Sequence, residues 1–282
     1  MIDQAYNLRE MSASKSTPII ITVTSGKGGV GKSNLVVNLA IALQKMGKNV
    51  MIFDADIGMG NDDILLGCSS PNNIYDLITN DLNIEDVLIY GPYGIKLLPG
   101  GSGINRIEDL SDSQKSLLLD KISKLKGLDY IIIDTGGGIN RNILSFSAFC
   151  EQLFVVITTE PTSLTDAYSL LKAINHFKLK KTANIIVNKA ASSQDAYRAF
   201  NKLSKTVKHF LNMDLNFYGM VSEDSKVPEA VKEQSPFIIS YPNSAASKDI
   251  LSLARKLAGD YTDSKDKLGF DNFLRKIFSV FS

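Results

Sequence analysis

Short apolar runs recur along most of the chain and alternate with stretches of helical periodicity. Several of these runs lack polar alternation, as expected for strands that are covered on both faces. The runs are IIITVTS (19–25), NVMIFDAD (49–56), IKLLP (95–99), YIIIDT (130–135), LFVVITT (153–159), NIIVN (184–188), FYGMV (217–221) and FIISY (237–241). This pattern predicts a doubly wound α/β fold with a mainly parallel sheet of about eight strands and helices on both faces.

Polar segments divide the chain into three parts. The segment SASKSTP separates an N-terminal segment (1–17) from the α/β domain (18–259), and DYTDSKDKLG leads into a C-terminal segment (260–282). No apolar run in the sequence is long enough to cross a bilayer, and the N-terminus lacks the apolar core of a signal peptide. We therefore expect a cytoplasmic protein.

The last segment, FDNFLRKIFSVFS, has a one-sided helical pattern. At about 100° per residue, its apolar side chains fall within an arc of about 160°. They are Phe270, Phe273, Leu274, Ile277, Phe278, Val280 and Phe281. Such a helix either docks on the protein's own core or lies on a membrane surface. The polar linker and the basic Arg275 and Lys276 opposite this arc favour reversible binding to an anionic surface, at the inner face of the cell membrane.

Charge and cysteine content exclude several classes of protein. Lysine and arginine number 31 against 30 aspartate and glutamate, so the net charge of +1 gives no reason to expect nucleic acid as a partner. Cys68 and Cys150 are far apart in the sequence and make no CxxC pair. Neither a disulfide framework nor a cysteine metal site is indicated.

The stretch SGKGGVGKS (Ser25–Ser33) follows the first predicted strand and opens a helical segment. It matches GxxxxGK[ST], the P-loop that binds the phosphates of a nucleotide. Its glycines let backbone amides face an anion, and the helix N-terminus adds its positive end. Lys32 is expected to reach the β- and γ-phosphates, and Ser33 to coordinate Mg²⁺. The predicted phosphate-binding residues are Gly28, Gly29, Val30, Gly31, Lys32, Ser33 and Asn34.

Acidic residues follow two other predicted strands. Asp54 and Asp56 end the second strand, and Asp134 ends YIIIDT in the Walker B pattern of an acid held near Mg²⁺ through water. Because the carboxyl ends of parallel strands meet at one edge of a sheet, these acids should approach the P-loop. Ser33 and Asp134 are therefore the magnesium residues that the motifs predict, with Asp54 and Asp56 nearby, and the glycines after Asp134 are expected to form a hinge.

The base is predicted to be adenine. A GTPase reads guanine through an NKxD motif whose aspartate accepts hydrogen bonds from the base. This chain has IVNKAA, with Asn188 and Lys189 but Ala191 at the position of that aspartate. We therefore expect ATP, with Mg²⁺, as the bound nucleotide.

A second lysine makes this P-loop resemble a narrower family. KGGVGKS is the deviant Walker A sequence that marks MinD, ParA, nitrogenase reductase and the arsenite ATPase. The resemblance implies an ATP-dependent homodimer in which Lys27 reaches across to the partner's phosphates, much as an arginine finger does. A lysine that is merely solvated in its loop is the alternative.

The same resemblance assigns roles to the other residues. Asp56 would position the attacking water, and Asp54 would support the magnesium shell, so that Lys27, Lys32 and Asp56 form the catalytic set. Asn188 would touch the adenine. Pro242 and Asn243, in the later loop YPNSAAS, would close over it.

Two further stretches resemble the FlhG proteins, also called YlxH or FleN. They are DQAYNLR (Asp3–Arg9) and TTEPTSLTDAYSLLK after the Walker B strand. The resemblance implies an ATPase that controls the number or placement of flagella and stimulates the FlhF GTPase through its N-terminal segment. The implied partner-binding residues are Asp3, Gln4, Leu8, Arg9 and, on the switch side, Asp166. Components of the motor's C-ring are further candidate partners.

Three other functions stay open at this point. A MinD- or ParA-type positioning ATPase would share the P-loop but not DQAYNLR. An iron–sulfur carrier on the same fold would need a cysteine pair at the dimer axis, which Cys68 and Cys150 do not supply. A non-hydrolysing ATP-dependent scaffold would be recognised by its lack of turnover.

Overall fold

The computed structural model describes residues 17–56, 60–69, 71–100, 110–259 and 269–280. One sheet runs through them in the order β3-β4-β2-β5-β1-β6-β7-β8. Its strands are β1 (Ile19–Ser25), β2 (Val50–Ala55), β3 (Ile89–Tyr90), β4 (Lys96–Leu98), β5 (Tyr130–Gly137), β6 (Gln152–Ile157), β7 (Thr182–Ala190) and β8 (Asp214–Ser222). The β3–β4 pair is antiparallel and every other pair in this order is parallel. The predicted doubly wound sheet is confirmed.

Helices cover both faces of the sheet. They are α1 (Lys32–Lys45), α2 (Asp62–Leu66), α3 (Ile74–Thr79), α4 (Asp112–Ser123), α5 (Arg141–Phe149), α6 (Pro161–His176), α7 (Ser193–Leu211), α8 (Lys226–Lys232), α9 (Phe237–Ser240), α10 (Ala245–Gly259) and α11 (Phe270–Val280). Two 3₁₀ turns, Ile84–Asp86 and Pro92–Gly94, flank β3. The core on one face includes α1 and α8 to α10. The core on the other face includes α3 to α7 and α11.

One predicted strand is wrong. The apolar run FIISY forms the short helix α9, and the eighth strand is instead the brief β3. A short apolar run does not distinguish a buried strand from a buried helix. Pro236 precedes α9, and the backbone N–H of Ile238 donates to Asn38 Oδ1 at 2.9 Å, which fixes the segment against α1.

The C-terminal helix α11 is docked on the core. Phe270 meets Phe53 edge to face at 5.9 Å between ring centroids, and Phe273 stacks on Phe146 at 6.2 Å. Phe270, Phe273, Leu274, Ile277 and Phe278 are all buried, while Arg275 and Lys276 are exposed. The amphipathic helix is as predicted. In this structure its apolar arc packs on the protein's own core, which is the alternative that the sequence left open, and binding to a membrane surface stays a prediction. Burial of each apolar side chain contributes at most about 1.5–3 kcal/mol.

Several sequence predictions lie outside the described residues. These are the partner-binding residues Asp3, Gln4, Leu8 and Arg9, most of both polar linkers, and the membrane residue Phe281. Within the described ranges, no helix combines the length and the apolarity that a membrane span requires.

Candidate nucleotide site

The loop between β1 and α1 has the backbone geometry of an anion-binding nest. Gly29 and Gly31 adopt positive φ angles of 77° and 87°, which side chains rarely tolerate, and α1 begins directly after them at Lys32. A Cβ atom added at Gly28 or Gly29 would meet no described atom within 4 Å, so the outer surface of the loop is open. Backbone amides and the helix N-terminus therefore converge on one anion site.

Neighbouring elements hold this loop closely. A Cβ atom at Gly26 would lie 2.1 Å from the backbone carbon of Asp166 in α6, so only glycine fits there. Asn188 Nδ2 donates to the carbonyl oxygen of Val30 at 2.7 Å, and Lys189 Nζ donates to that of Gly29 at 2.9 Å. Asn188 and Lys189, at the end of β7, thus hold the loop through hydrogen bonds to its backbone carbonyls.

Lys32 is buried against the Walker B acid. Its Nζ lies 2.8 Å from Asp134 Oδ1, and both side chains are less than a tenth exposed. Burial raises the pKa of Asp134, while the Lys32 charge and hydrogen bonds from Lys32 and Ser33 lower it in part. The structure therefore brings together Lys32, Ser33 and Asp134, as predicted from their places after β1 and in β5.

The two acids at the end of β2 lie beside this pair. Asp54 is paired in register with Asp134 on the adjacent β5, and the backbone N–H of Asp56 donates to Asp54 Oδ1 at 3.1 Å. Burial, followed by the negative charge of Asp134, raises the pKa of Asp54 to about 7. The Asp56 carboxylate approaches Gly136, where an added Cβ would lie 2.8 Å from Oδ1. Asp56 therefore faces the glycines at the end of β5, just after the Walker B acid.

Lys27 is held differently from Lys32. Its Nζ lies 2.7 Å from Glu160 Oε2 and donates to Thr162 Oγ1 at 2.9 Å, at the start of α6. The Lys27 side chain is 29% exposed and the Glu160 side chain 63%. The hydrogen bond from Lys27 lowers the pKa of Glu160, but an exposed ion pair of this kind contributes little to stability. Lys27 can therefore leave Glu160 at small cost.

The glycine segment after Asp134 is tied to the P-loop. Gly136 and Gly137 continue β5, and the N–H of Gly138 donates to the Ser25 carbonyl at 2.9 Å. A Cβ atom at Gly137 would lie 2.6 Å from the backbone of Lys27 and Gly28. Movement of this segment would therefore displace the backbone at Lys27. That the segment is a hinge remains a prediction.

The structure places the remaining predicted site residues around this centre. Asn34 lies in the first turn of α1, where its Oδ1 accepts from Asn38. Asp166 is half-buried on α6 behind the P-loop. Pro242 and Asn243 lie in an exposed turn before α10. Their contacts with a base or a partner, like that of Asn188 with adenine, stay predictions.

Sequence reasoning missed four residues of the site. Glu160 and Thr162, which hold Lys27, lie inside the stretch TTEPTSLTDAYSLLK, but no motif marked them. For Lys189, the sequence indicated only a place in the NKxA variant of the motif that recognises guanine. Asp62, the first residue of α2, is fully buried, and its carboxyl is close enough to Asp134 and Asp54 to be affected by their charges. A run of three polar residues, Asn61 to Asp63, gave no sign that the middle one would be buried.

These residues fit Mg²⁺ and a nucleoside triphosphate. The open nest and Lys32 suit the phosphates, and Ser33 with the carboxylates of Asp54 and Asp134 offers the hard oxygen donors that Mg²⁺ prefers. Asp62 adds carboxylate oxygens that receive no hydrogen bond from a donor group among the described residues. When bound, Mg²⁺ would neutralise charge that develops on the phosphates during hydrolysis.

Comparisons with known proteins agree with this chemistry. Residues 21–237 match the CobQ/CobB/MinD/ParA nucleotide binding domain. The antiactivator FleN of Pseudomonas aeruginosa is 37% identical over 239 residues, which cover 84% of this chain and 85% of FleN. The flagellum site-determining protein YlxH of Helicobacter pylori is 31% identical over 258 residues, which cover 90% of this chain and 87% of YlxH.

A solved structure supports the fold and its cofactor. The septum site-determining protein MinD of Pyrococcus horikoshii, in complex with Mg-ADP, is 26% identical. It superposes with a TM-score of 0.66 over 88% of this chain and 100% of that one.

Proposed function

This chain is a MinD/ParA-type ATPase of the family that contains FleN and YlxH, and we propose that it controls flagellar number or placement as an ATP-switched homodimer. In the proposed cycle, the dimer binds the inner face of the cell membrane reversibly and stimulates an FlhF-type GTPase. The similarity to two flagellar regulators supports the process. The arrangement of the two lysines supports the switch.

The residues of one protomer can bind the nucleotide and prepare the reaction. The nest and Lys32 would bind the phosphates, and Lys32 would exchange the Asp134 carboxylate for a phosphate oxygen. Ser33 would ligate Mg²⁺, with Asp54 and Asp134 orienting its waters. Asp56, beside Gly136, would accept a hydrogen bond from the attacking water and orient it toward the terminal phosphate.

The observation that carries the proposal is the contrast between Lys27 and Lys32. Lys32 is buried on Asp134 inside its own protomer, where it serves one nucleotide. Lys27 is partly exposed at the mouth of the site, and only exposed groups at the start of α6 hold it. A lysine in that position is free to reach the phosphates of a second protomer, and such a charge supplied in trans can increase turnover by about 10³–10⁵.

The tail provides a route from nucleotide state to membrane binding. Phe53 packs against Phe270 of α11, and the next residue of β2 is the site acid Asp54. A shift of β2 on nucleotide binding or dimerisation would therefore disturb the contact that holds α11. Release would expose an apolar face with Arg275 and Lys276 opposite, which suits an anionic lipid surface. Two released tails on one dimer would bind more strongly than one, through effective concentration.

The test of the flagellar assignment uses the N-terminal segment. Deletion of residues 1–11 should leave basal ATPase activity unchanged but abolish stimulation of an FlhF-type GTPase. A peptide that carries DQAYNLR should restore the stimulation, whereas the same peptide with Gln4→Ala should not. Full stimulation by the truncated protein would reject this assignment and favour a MinD-type positioning ATPase with another partner.

The cysteines argue against an iron–sulfur carrier. Cys150 is buried in the core on the side of α5, whereas Cys68 packs against the core on the other face of the sheet. The two thiols of one chain therefore do not form a cluster-binding pair. An iron assay on the purified protein checks this, and turnover measured with lipid and FlhF present separates an ATPase from a scaffold that only binds ATP.

A further inference from the structure

Asp62 is a buried acid whose oxygens accept no hydrogen bond from a donor group among the described residues. It is the first residue of α2 and has 0% exposure. Within the described part of the chain, no donor group reaches either carboxylate oxygen, and the side-chain hydrogen bond open to Asp62 is with the Asp134 carboxyl, which requires a shared proton. Buried carboxylates are almost always paired, hydrogen-bonded or bound to a cation, because an uncompensated buried charge is strongly unfavourable. Asp62 therefore needs a compensating group.

The surroundings of Asp62 are the magnesium side of the nucleotide site. The acids that act on it are Asp134 and Asp54, and the nearby cation is Lys32. Gly60, two residues earlier, lies so close to Asp54 that an added Cβ would be 2.2 Å from Oδ2. Burial, followed by the charges of Asp134 and Asp54, raises the pKa of Asp62. The start of α2 thus brings a third carboxyl group to a pair of acids already in the site.

The charge balance of this cluster depends on the nucleotide. Lys32 pairs with Asp134 in this structure, and its positive charge also acts on Asp54 and Asp62. When Lys32 turns to the phosphates of a bound nucleotide, the three acids lose that cation. A proton or a metal ion would then compensate them, and a bound nucleotide would bring Mg²⁺ to this side of the P-loop.

We propose that Asp62 is an outer-shell ligand of the nucleotide's Mg²⁺, acting through water beside Asp54 and Asp134. Among the described residues, no three His, Cys, Asp or Glu side chains are spaced as direct ligands of one ion. Contact through water is the usual geometry for Mg²⁺, which keeps several of its waters in proteins. The role of Asp62 would be to orient those waters and to increase the affinity for the metal.

The test measures metal affinity rather than turnover. ADP binding to the full-length protein is followed by calorimetry at increasing Mg²⁺ and, separately, in EDTA. Loss of an outer-shell group typically lowers metal affinity about 10–100-fold, so Asp62→Asn should need about 10–100-fold more Mg²⁺ for half-maximal ADP binding. ADP affinity in EDTA should be unchanged. Mn²⁺ in place of Mg²⁺, observed by electron paramagnetic resonance, should show the same loss.

Two other variants complete the design. Asp63→Asn is the matched control, since Asp63 is the next residue on α2, is half-exposed and accepts the Ile64 N–H at 2.8 Å. Its Mg²⁺ requirement should equal that of the unmodified protein.

Asp62→Leu replaces Asp62→Asn if the latter does not fold, because it removes the carboxylate without leaving a polar group. It should show the same increase in the Mg²⁺ concentration that half-maximal ADP binding needs. If the folded Asp62 variants need the same Mg²⁺ concentration as the unmodified protein, Asp62 does not act on the metal. It is then an acid that shares a proton with its neighbours, and the proposal is wrong. The result does not depend on any flagellar partner.

Discussion

The two lysines of the P-loop have different environments, and their replacement should have different consequences. Lys32→Ala removes the buried cation at Asp134 and the phosphate contact, so we expect nucleotide binding to be lost. Lys27→Ala removes a partly exposed side chain from Glu160, so ATP binding should largely remain while ATP-dependent dimerisation and turnover disappear. Calorimetry with ATP and size-exclusion chromatography measure the two effects. Identical behaviour of the variants would contradict the division between the lysines.

Gly26 is the position where the P-loop comes closest to α6. Because a methyl group there would lie 2.1–2.4 Å from the backbone of Asp166 and Ala167, Gly26→Ala must push the loop and the helix apart. Overpacking of this kind costs about 1–3 kcal/mol, and ATP affinity should fall as well. Gly259→Ala is the control, since its added methyl meets no described atom within 4 Å. Urea unfolding should separate the variants, and equal stability would contradict the close packing.

The raised pKa of Asp54 predicts an unusual pH dependence of stability. Its pKa is about 7 in the folded protein and 3.8 by reference, so the folded state holds this proton more tightly than the unfolded state. Without metal or nucleotide, the free energy of unfolding should therefore fall as pH rises from about 4 to 7, by up to about 1.4 kcal/mol per pH unit for this group.

Replacement of the acid isolates that contribution. Asp54→Asn should reduce the slope of the unfolding free energy against pH by an amount that corresponds to at most about one bound proton. The slope that remains reflects Asp62 and Asp134, whose pKa values are also raised. Asp112→Asn is the control, because the Asp112 side chain is 97% exposed. Urea unfolding in EDTA between pH 5 and 7.5 measures all three proteins. An unchanged slope in Asp54→Asn would show that Asp54 is not the group that holds the proton.

At the scale of elements, the sequence predicted best where several signals coincide. The strand, glycine loop and helix around Lys32 could be placed because the apolar run, the glycines and the lysine each demand the same turn. FIISY carried only one signal, apolarity, and tertiary contacts such as that between Ile238 and Asn38 made it a helix. Asp62 could not be found, because its burial depends on its place near Asp54 and Asp134 in the folded chain rather than on any local pattern.

The tail shows a different limit of sequence reasoning. Helical periodicity established which side chains share the apolar face of α11, but the same face suits a lipid surface and a protein core equally well. The groove that decides the matter comes from Phe53 and Phe146, which are distant in sequence. Since Phe278 is only 5% exposed, Phe278→Glu would place a charge against that core.

We therefore expect Phe278→Glu to lower the melting temperature in the absence of lipid. Ser279→Glu, one residue later and exposed, should leave it nearly unchanged. Circular dichroism melts measure both. An unaltered melting temperature in Phe278→Glu would indicate that α11 leaves the core in solution.

At the scale of the whole molecule, the nucleotide site and the tail should act as one switch. Asp56 faces Gly136 near the end of β5. In the proposed mechanism it acts on the chemical step rather than on phosphate binding. Asp56→Ala should therefore bind ATP, stall before hydrolysis and remain dimeric. Because the dimer is the proposed tail-released state, this variant should also sediment with anionic liposomes in ATP and stay in solution in ADP.

The double variant Asp56→Ala with Phe278→Glu separates the two halves of the switch. It should still form the ATP-dependent dimer by size-exclusion chromatography, because α11 packs on the face of the sheet opposite α1, but it should no longer sediment with lipid. Ser279→Glu in the same background should weaken sedimentation only modestly, through repulsion from anionic lipid. Equal sedimentation in ATP and ADP would show that α11 responds to lipid alone, and loss of ATP binding in Asp56→Ala would assign Asp56 to the structure of the site rather than to the reaction.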